Sequence, residues 1–251
     1  MITVRQLYHR IDGKEVLRDV NFHVRHGDTV SVMGVSGSGK TTLLKILAGL
    51  TRPTSGQVFL DRTDITELSE EELNRIRHRL GVVFQYGALF DSLTVYENIA
   101  FALLRHTYLS RSEIDDIVEE KLALVGLPGT QNLMPAQLSG GMQKRVGLAR
   151  AIAMNPEVLF YDEPTAGLDP VMTTVIDSLI TEMRDRLNVT SVVVSHDLRS
   201  VFQISDRVAM LHGGAIIAYG TPDEIRESPD ERVRQFVEGR AEGPIQPGVG
   251  G

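Results

Sequence analysis

Alternation and helical spacing divide the chain into short segments from its first residues. Residues 2–8 alternate apolar and polar side chains, and Asp12-Gly13-Lys14 reads as a hairpin turn before Val16 and Leu17. Residues 21–24 read as another strand. His26-Gly27-Asp28 turns the chain into an apolar, β-rich run at 29–33, and residues 39–48 read as a helix ended by Gly49. A turn at Pro53-Thr54-Ser55-Gly56 leads into a short strand, 57–60. Ser69 followed by Glu72 is a capping-box pattern that opens a helix to about Arg79. Residues 81–85 read as a buried strand. From about 91 to 125 the pattern is mostly helical, with Ile114, Ile117, Val118, Leu122 and Val125 on one face as core packing.

After Pro135 strands and helices alternate. The strands are expected at 158–161, 191–195, 207–211 and 215–219. The helices are expected at 173–186, 198–204, 223–227 and 229–238. This order predicts an α/β fold with a mainly parallel sheet. The N-terminal strands and the helix-rich middle are additions to it. Residues 240–251, rich in Gly and Pro, read as a tail without a core.

Composition narrows the function classes. Of 251 residues, 42% are hydrophobic and 24% charged, which excludes wholesale disorder. The absence of cysteine excludes a disulfide framework and any thiolate metal site. A formal charge of −7 argues against a nucleic-acid partner. The longest uncharged apolar runs, at 158–161 and 215–219, fall far short of the roughly 20 residues of a spanning helix. No secretory leader is visible, so a link to a membrane is expected to run through another chain.

Two strings carry chemistry. Gly34-Val35-Ser36-Gly37-Ser38-Gly39-Lys40-Thr41 fits the P-loop pattern between a strand and a helix. Its glycines let backbone N–H groups curl toward phosphate oxygens, and the helix N-terminus adds its positive dipole end. Lys40 is expected on the β- and γ-phosphates, Thr41 on Mg²⁺, and Thr42 in the phosphate shell. The apolar strand before Asp162-Glu163 ends in two carboxylates. Asp162 is expected to hold Mg²⁺, and Glu163 to act as general base on the attacking water.

Between these strings lies Leu138-Ser139-Gly140-Gly141-Met142-Gln143, and this resembles the signature of ATP-binding cassette (ABC) ATPases. Gln85 resembles the family's Q-loop glutamine, Ala166-Gly167-Leu168-Asp169 its D-loop, and His196 its switch histidine. The resemblance covers Met1 to about Gly239. It implies a P-loop NTPase core with an N-terminal antiparallel β subdomain and a helical signature subdomain at about 91–150. It also implies that Ser139, Gly140 and Gly141 face the γ-phosphate on a second copy, closing a head-to-tail dimer over two ATP molecules. His196 then holds the γ-phosphate and water in register, Gln85 senses Mg²⁺ and water, and Asp169 links the two sites. Where many members place an aromatic residue against adenine, this chain has Ile11. Either Tyr8 takes the base or base recognition is loose.

Phe84-Gln85-Tyr86-Gly87-Ala88-Leu89-Phe90 is similar to a string of the Mla/Mce-type lipid-transport ATPases, as are Leu133-Met134-Pro135 and Arg232-Val233-Arg234-Gln235-Phe236. Tyr86, Leu89 and Phe90 fit either a permease contact or local packing. Residues 232–244 are candidates for a contact with the second copy. The resemblance implies an MlaE-like membrane permease, an MCE-type lipid-binding protein, in some systems a small STAS-domain subunit, and residence at the cytoplasmic face of the inner membrane. The alternatives are the ATPase of an importer for a small polar solute, a soluble cassette protein acting on DNA or ribosomes, and a nucleotide-binding regulator without turnover. The single cassette and the acidity oppose the second, and Glu163 with His196 opposes the third.

Overall fold

The alternating N-terminal segments pair as an antiparallel sheet. In the computed structural model, which describes residues 1–85 and 87–246, β1 (Ile2–Ile11) and β2 (Lys14–Val24) form a hairpin. Asp12 and Gly13 close it with φ of 50° and 78°, the two left-handed residues a type I′ turn requires. β3 (Thr29–Met33) leads into α1 (Lys40–Leu47). β4 (Ser55–Leu60) and the two-residue β5 (Thr63–Asp64) then complete the first sheet in the order β2-β1-β4-β5.

The rest of the chain alternates. α2 (Glu70–Arg77) precedes β6 (Leu80–Val83), and α3 (Val95–His106), α4 (Arg111–Leu124) and α5 (Gly140–Ile152) follow. β7 (Val158–Asp162), α6 (Pro170–Leu187), β8 (Thr190–Val194), α7 (Leu198–Ile204) and β9 (Arg207–His212) come next. β10 (Ala215–Gly220), α8 (Pro222–Arg226) and α9 (Glu231–Glu238) end it. The second sheet has the order β10-β9-β3-β8-β7-β6. Its strands are parallel except β10, which pairs antiparallel with β9.

β3, β7 and β8 are buried along their whole length because both faces are covered, which is why they read as continuous apolar runs. On one face Val30, Val32, Val158, Phe160, Val192 and Val194 meet Leu43, Leu44, Ile46 and Leu47 of α1, with Ile2, Val4 and Leu7 of the first sheet behind. On the other, Leu159, Tyr161 and Val193 meet α5 and α6. Helix α1 is therefore held between two sheets.

The structure differs from the sequence pattern at three places. The helical stretch is broken at residues 107–110. Thr94 with Glu97 and Ser110 with Glu113 each form a capping box, so α3 and α4 are separate helices; the Ile114, Val118, Leu122 face is buried as expected. β6 ends at Val83, which leaves Gln85 in a turn rather than at a strand end. The expected coreless tail is docked as far as Ile245. That side chain is 9% exposed and packs with Val233, Ile225 and Met210. Gln235 of α9 pairs with the Ile245 backbone as a strand would: its Nε2 donates to the carbonyl at 3.0 Å, and its Oε1 accepts from the N–H at 2.7 Å.

Asp177 of α6 is 1% exposed. One oxygen accepts from Ser200 Oγ of α7 at 2.8 Å, and Oδ1 has no partner among the described residues. Burial raises this carboxyl above the usual carboxylate range, opposed by the Ser200 bond. The unfolded chain releases the proton near ~3.9 and the folded chain at higher pH. Above the unfolded value the native state therefore holds more protons, and this group's contribution to stability falls as pH rises. Asp177→Asn removes the charge and keeps an acceptor for Ser200. The thermal midpoint at pH 7 is expected to rise by about 2–4 °C, with a smaller gain at pH 5. A lower midpoint at pH 7 contradicts the assignment.

Candidate nucleotide site

The β3–α1 turn crosses the sheet edge as a loop whose backbone is fixed by close approach. Gly34, at φ 154°, passes so near β9 that a Cβ would lie 2.1 Å from the Leu211 carbonyl oxygen. α1 begins on Gly39, itself left-handed at φ 102°, and no side chain caps it. Its first N–H groups are left to an external acceptor, the condition for an anion site at a helix start.

These N–H groups face a cavity of about 350 Å³. It is lined by Ser36, Gly37, Gly39, Lys40, Thr41 and Thr42 of the loop and α1, by Gln85, Glu163 and His196 from other segments, and by Val16. Gly34, Val35 and Ser38 of the same loop are not among the lining residues. Lys40 Nζ folds back to donate to the carbonyls of Gly34 and Val35 at 2.9 and 3.1 Å. Burial lowers the Lys40 pKa, opposed by the charges of Glu163 and Asp162. A phosphate here meets an ammonium already desolvated and aimed along the loop.

The carboxylates come from β7, two strands away. Asp162 ends the strand at 8% exposure and accepts from Thr41 Oγ1 at 3.0 Å. Burial raises its pKa, the Thr41 bond opposes this, and the adjacent Glu163 raises it further. Glu163 leaves the strand at φ 49°, a left-handed conformation uncommon for Glu. Its N–H donates to the Val194 carbonyl at 2.9 Å, which holds the turn. The turn aims Oε2 at His196, whose Nδ1 lies 2.8 Å away. The two parallel strands β7 and β8 thus bring Glu163 and His196 together from the ends of neighbouring strands.

Not every sequence-predicted residue reaches this cavity. Ile11 stands 45% exposed at the end of β1 and is not part of the wall; Val16 supplies the apolar surface there instead. Ser139, Gly140, Gly141 and Asp169 also lie outside the wall. Ser139 caps α5, accepting from Met142 N–H at 3.3 Å, and Ser139 and Gly140 are exposed. Gly141 is buried under Met172 of α6. Asp169 caps α6 through the N–H groups of Val171 and Met172. Tyr86 lies outside the described residues. Leu89 packs against the helical core, and Phe90 is 43% exposed beside Phe101.

Two cations of α5 were missed by sequence reasoning. Arg150 donates to the carbonyls of Gly87 and Ala88 at 2.9 and 2.8 Å, holding the segment after Gln85. Lys144 Nζ donates to the carbonyls of Pro164 and Ala166 at 2.8 and 2.7 Å, holding the segment after Glu163. Their only sequence signal is a basic residue on the buried side of an otherwise apolar helix face.

A phosphate-cradling loop between a central parallel strand and its helix, faced by a carboxylate from the end of another strand of the same sheet, defines a P-loop nucleoside triphosphatase. The sequence pattern of the ABC transporter family matches residues 17–166, and the chain belongs to that family of ATPases. It is 42% identical over 246 residues to the intermembrane phospholipid transport system ATP-binding protein MlaF of Haemophilus influenzae, covering 98% of this chain and 93% of that one. It is 41% identical to the probable ribonucleotide transport ATP-binding protein mkl of Mycobacterium tuberculosis, covering 97% and 68%. Among solved structures it resembles a dimeric post-hydrolysis state of the ATP-binding cassette MJ0796 bound to ADP and Pi. The TM-score is 0.82 at 33% identity, over 88% of this chain and 99% of that one. It also resembles cbiO1 of Clostridium perfringens, part of the cbiONQ transporter complex, with TM-score 0.84, 31% identity, and 95% and 94% covered.

Gly34→Ala places a methyl group where Leu211 carbonyl oxygen stands, so the loop must move. Binding of a fluorescent ATP analogue to this variant is expected to weaken by at least ~10-fold, since the lost contacts are charge-assisted hydrogen bonds. Wild-type affinity contradicts the fixed-loop geometry.

Proposed function

We propose that this chain is the ATP-hydrolysing subunit of an envelope transporter that moves phospholipid or a related lipid, working as a nucleotide-sandwich dimer on a membrane permease. The observation that carries the hydrolytic part is the 2.8 Å pairing of Glu163 with His196 across the cavity from Lys40 and Thr41. Glu163 is the general base, oriented by its strained turn and by His196. His196 keeps that carboxylate in place and reaches the γ-phosphate. Lys40 and the free N–H groups of α1 take the phosphate charge. Thr42 and Ser36 line the same wall, and Gln85 lies beside the attacking water.

The Thr41 hydroxyl beside the buried Asp162 carboxylate fits Mg²⁺. That ion is usually held by one or two protein groups together with phosphate oxygens. Among the described residues no cluster of three or more His, Cys, Asp or Glu could hold a metal without the nucleotide. Bound there, Mg²⁺ supplies charge neutralisation for the departing phosphate.

Ser139 and Gly140 are exposed at a helix start that does not line the chain's own cavity, which supports their facing a nucleotide on a second copy. In that arrangement Gly141 and Asp169 lie at the joint between the sites. The γ-phosphate then touches both copies, so ATP favours the closed dimer and hydrolysis releases it. No helix among the described residues is long and apolar enough to cross a membrane, and attachment runs through a permease at the cytoplasmic face.

The lipid assignment rests on full-length similarity to the MlaF relatives, which covers both chains almost entirely. It carries with it an MlaE-like permease, an MCE-type lipid-binding protein and, in some systems, a STAS-domain subunit. A second reading is favoured by the relative named for ribonucleotide transport: a polar solute carried by a different permease.

Glu163→Gln is expected to keep ATP binding and lower turnover by ~10²–10⁴-fold, the range a general base contributes. Wild-type turnover in that variant removes the base assignment. Ser139→Arg is expected to abolish turnover while the isolated chain still binds ATP; normal turnover refutes the shared site. Purification of the tagged chain from its native membrane, with mass spectrometry of what accompanies it, tests the cargo. An MlaE-like permease with bound phospholipid supports the lipid reading. A different permease keeps the ATPase and discards the lipid.

A further inference from the structure

Helix α5 buries an ammonium with no carboxylate partner among the described residues. Lys144 is 8% exposed, and its Nζ is shared between the carbonyls of Pro164 and Ala166. These belong to the loop that runs from Glu163 to the α6 cap at Asp169. The loop turns on itself through Ala166 N–H to Glu163 carbonyl and Leu168 N–H to Thr165 carbonyl, both at 3.2 Å. The carbonyls that take Lys144 thus alternate with those used inside the loop. Burial lowers the Lys144 pKa, and the charge of Glu163 opposes this. An apolar side chain would pack here at less desolvation cost, but it would leave two buried carbonyls without a donor.

A second contact lies one helical turn earlier on the same face of α5. A Cβ on Gly141 would stand 2.7 Å from the Met172 Cε in the first turn of α6. The loop after Glu163 is therefore clamped to the signature helix at both ends, by a cation at residues 164 and 166 and by close packing at residue 172. The same helix carries Ser139 at its start.

We propose that Lys144 is a positioning residue that couples the two nucleotide sites of the dimer. It fixes the loop behind this chain's own Glu163 relative to the Ser139 end of α5, which faces the nucleotide held by the second copy. The inference rests on the hydrolysing-dimer reading above. Movement of α5 when its start engages a γ-phosphate is transmitted by Lys144 to Pro164, and so to the turn that aims Glu163. Methionine at this position fills the space without donating, whereas arginine restores a donor to the two carbonyls.

The test is steady-state ATP hydrolysis by the transporter complex purified through a tag on this chain, for wild type, Lys144→Met and Lys144→Arg. Wild type is expected to show a Hill coefficient well above 1. Lys144→Met is expected to lose at least ~10-fold in kcat, with its Hill coefficient falling to ~1, because coupling between sites is a free energy that a broken link removes. Lys144→Arg is expected to recover cooperativity. A purely structural role lowers the active fraction but leaves the Hill coefficient of the remaining enzyme unchanged. Lys144→Met with wild-type cooperativity therefore overturns the inference, as does a loss of cooperativity in Lys144→Arg equal to that in Lys144→Met. A wild-type complex that hydrolyses ATP without cooperativity overturns it while leaving the ATPase reading intact. Absence of turnover in the wild type removes both.

Discussion

The burial of α1 between two sheets is the constraint on which the rest depends. Leu43, Leu44, Ile46 and Leu47 are at most 2% exposed, enclosed by the second sheet on one side and the antiparallel hairpin on the other. A helix so enclosed cannot tilt or slide without opening voids on two faces, each costing a few kcal/mol for a buried aliphatic side chain. Its N-terminus is therefore a fixed point. The loop before it, pressed against Leu211 at Gly34, inherits that rigidity. A phosphate cradle made of backbone N–H groups works only if the backbone does not relax when charge arrives. The N-terminal hairpin, which adds no wall residue but Val16, has its physical role here.

Against this fixed point the remaining groups sit on elements with more freedom. Gln85 lies in a turn after the short β6, and His196 follows β8 with its side chain 61% exposed. Glu163 stands on a left-handed residue at the end of a fully buried strand. Positive φ at a glutamate costs of order 1–3 kcal/mol and persists because the surroundings over-determine it. Here those surroundings are the Val194 carbonyl from β8 and the carbonyl grip of Lys144 from α5. The strained residue is held by a central strand and by the helix packed over it, so its geometry reports on how those two elements are arranged.

The sequence made some of this legible and not the rest, for physical reasons. The phosphate loop could be read because its chemistry needs eight consecutive residues; no folding is required to assemble it. The core strands could be read because a strand covered on both faces must be apolar throughout. The break between α3 and α4 was encoded by Ser110 with Glu113, but continuous helical spacing on either side hid it. Ile245 could not be read at all. Its burial depends on Gln235 acting as a substitute strand, a pairing ten residues apart with no local pattern. Val16 was likewise invisible as a wall residue, since the cavity takes it from a hairpin remote from the loop in sequence.

Lys144 and Arg150 belong to the same illegible class, and their chemistry explains why they matter. Lys144 is buried and Arg150 half-buried, and both are cations whose partners are carbonyls, with no acidic side chain paired to either among the described residues. A cation bound to a carboxylate fixes one side chain to another. A cation bound to two nearby carbonyls of one segment fixes a backbone, and so sets the path of a loop. α5 places one such cation on the segment after Gln85 and the other on the segment after Glu163, six residues apart on one rigid helix. The helix start, with Ser139 exposed, stands open to solvent. A displacement imposed there reaches both loops at once, whereas a displacement of either loop alone must work against the other's hydrogen bonds. That asymmetry makes α5 a one-input, two-output lever between the exposed signature and the cavity.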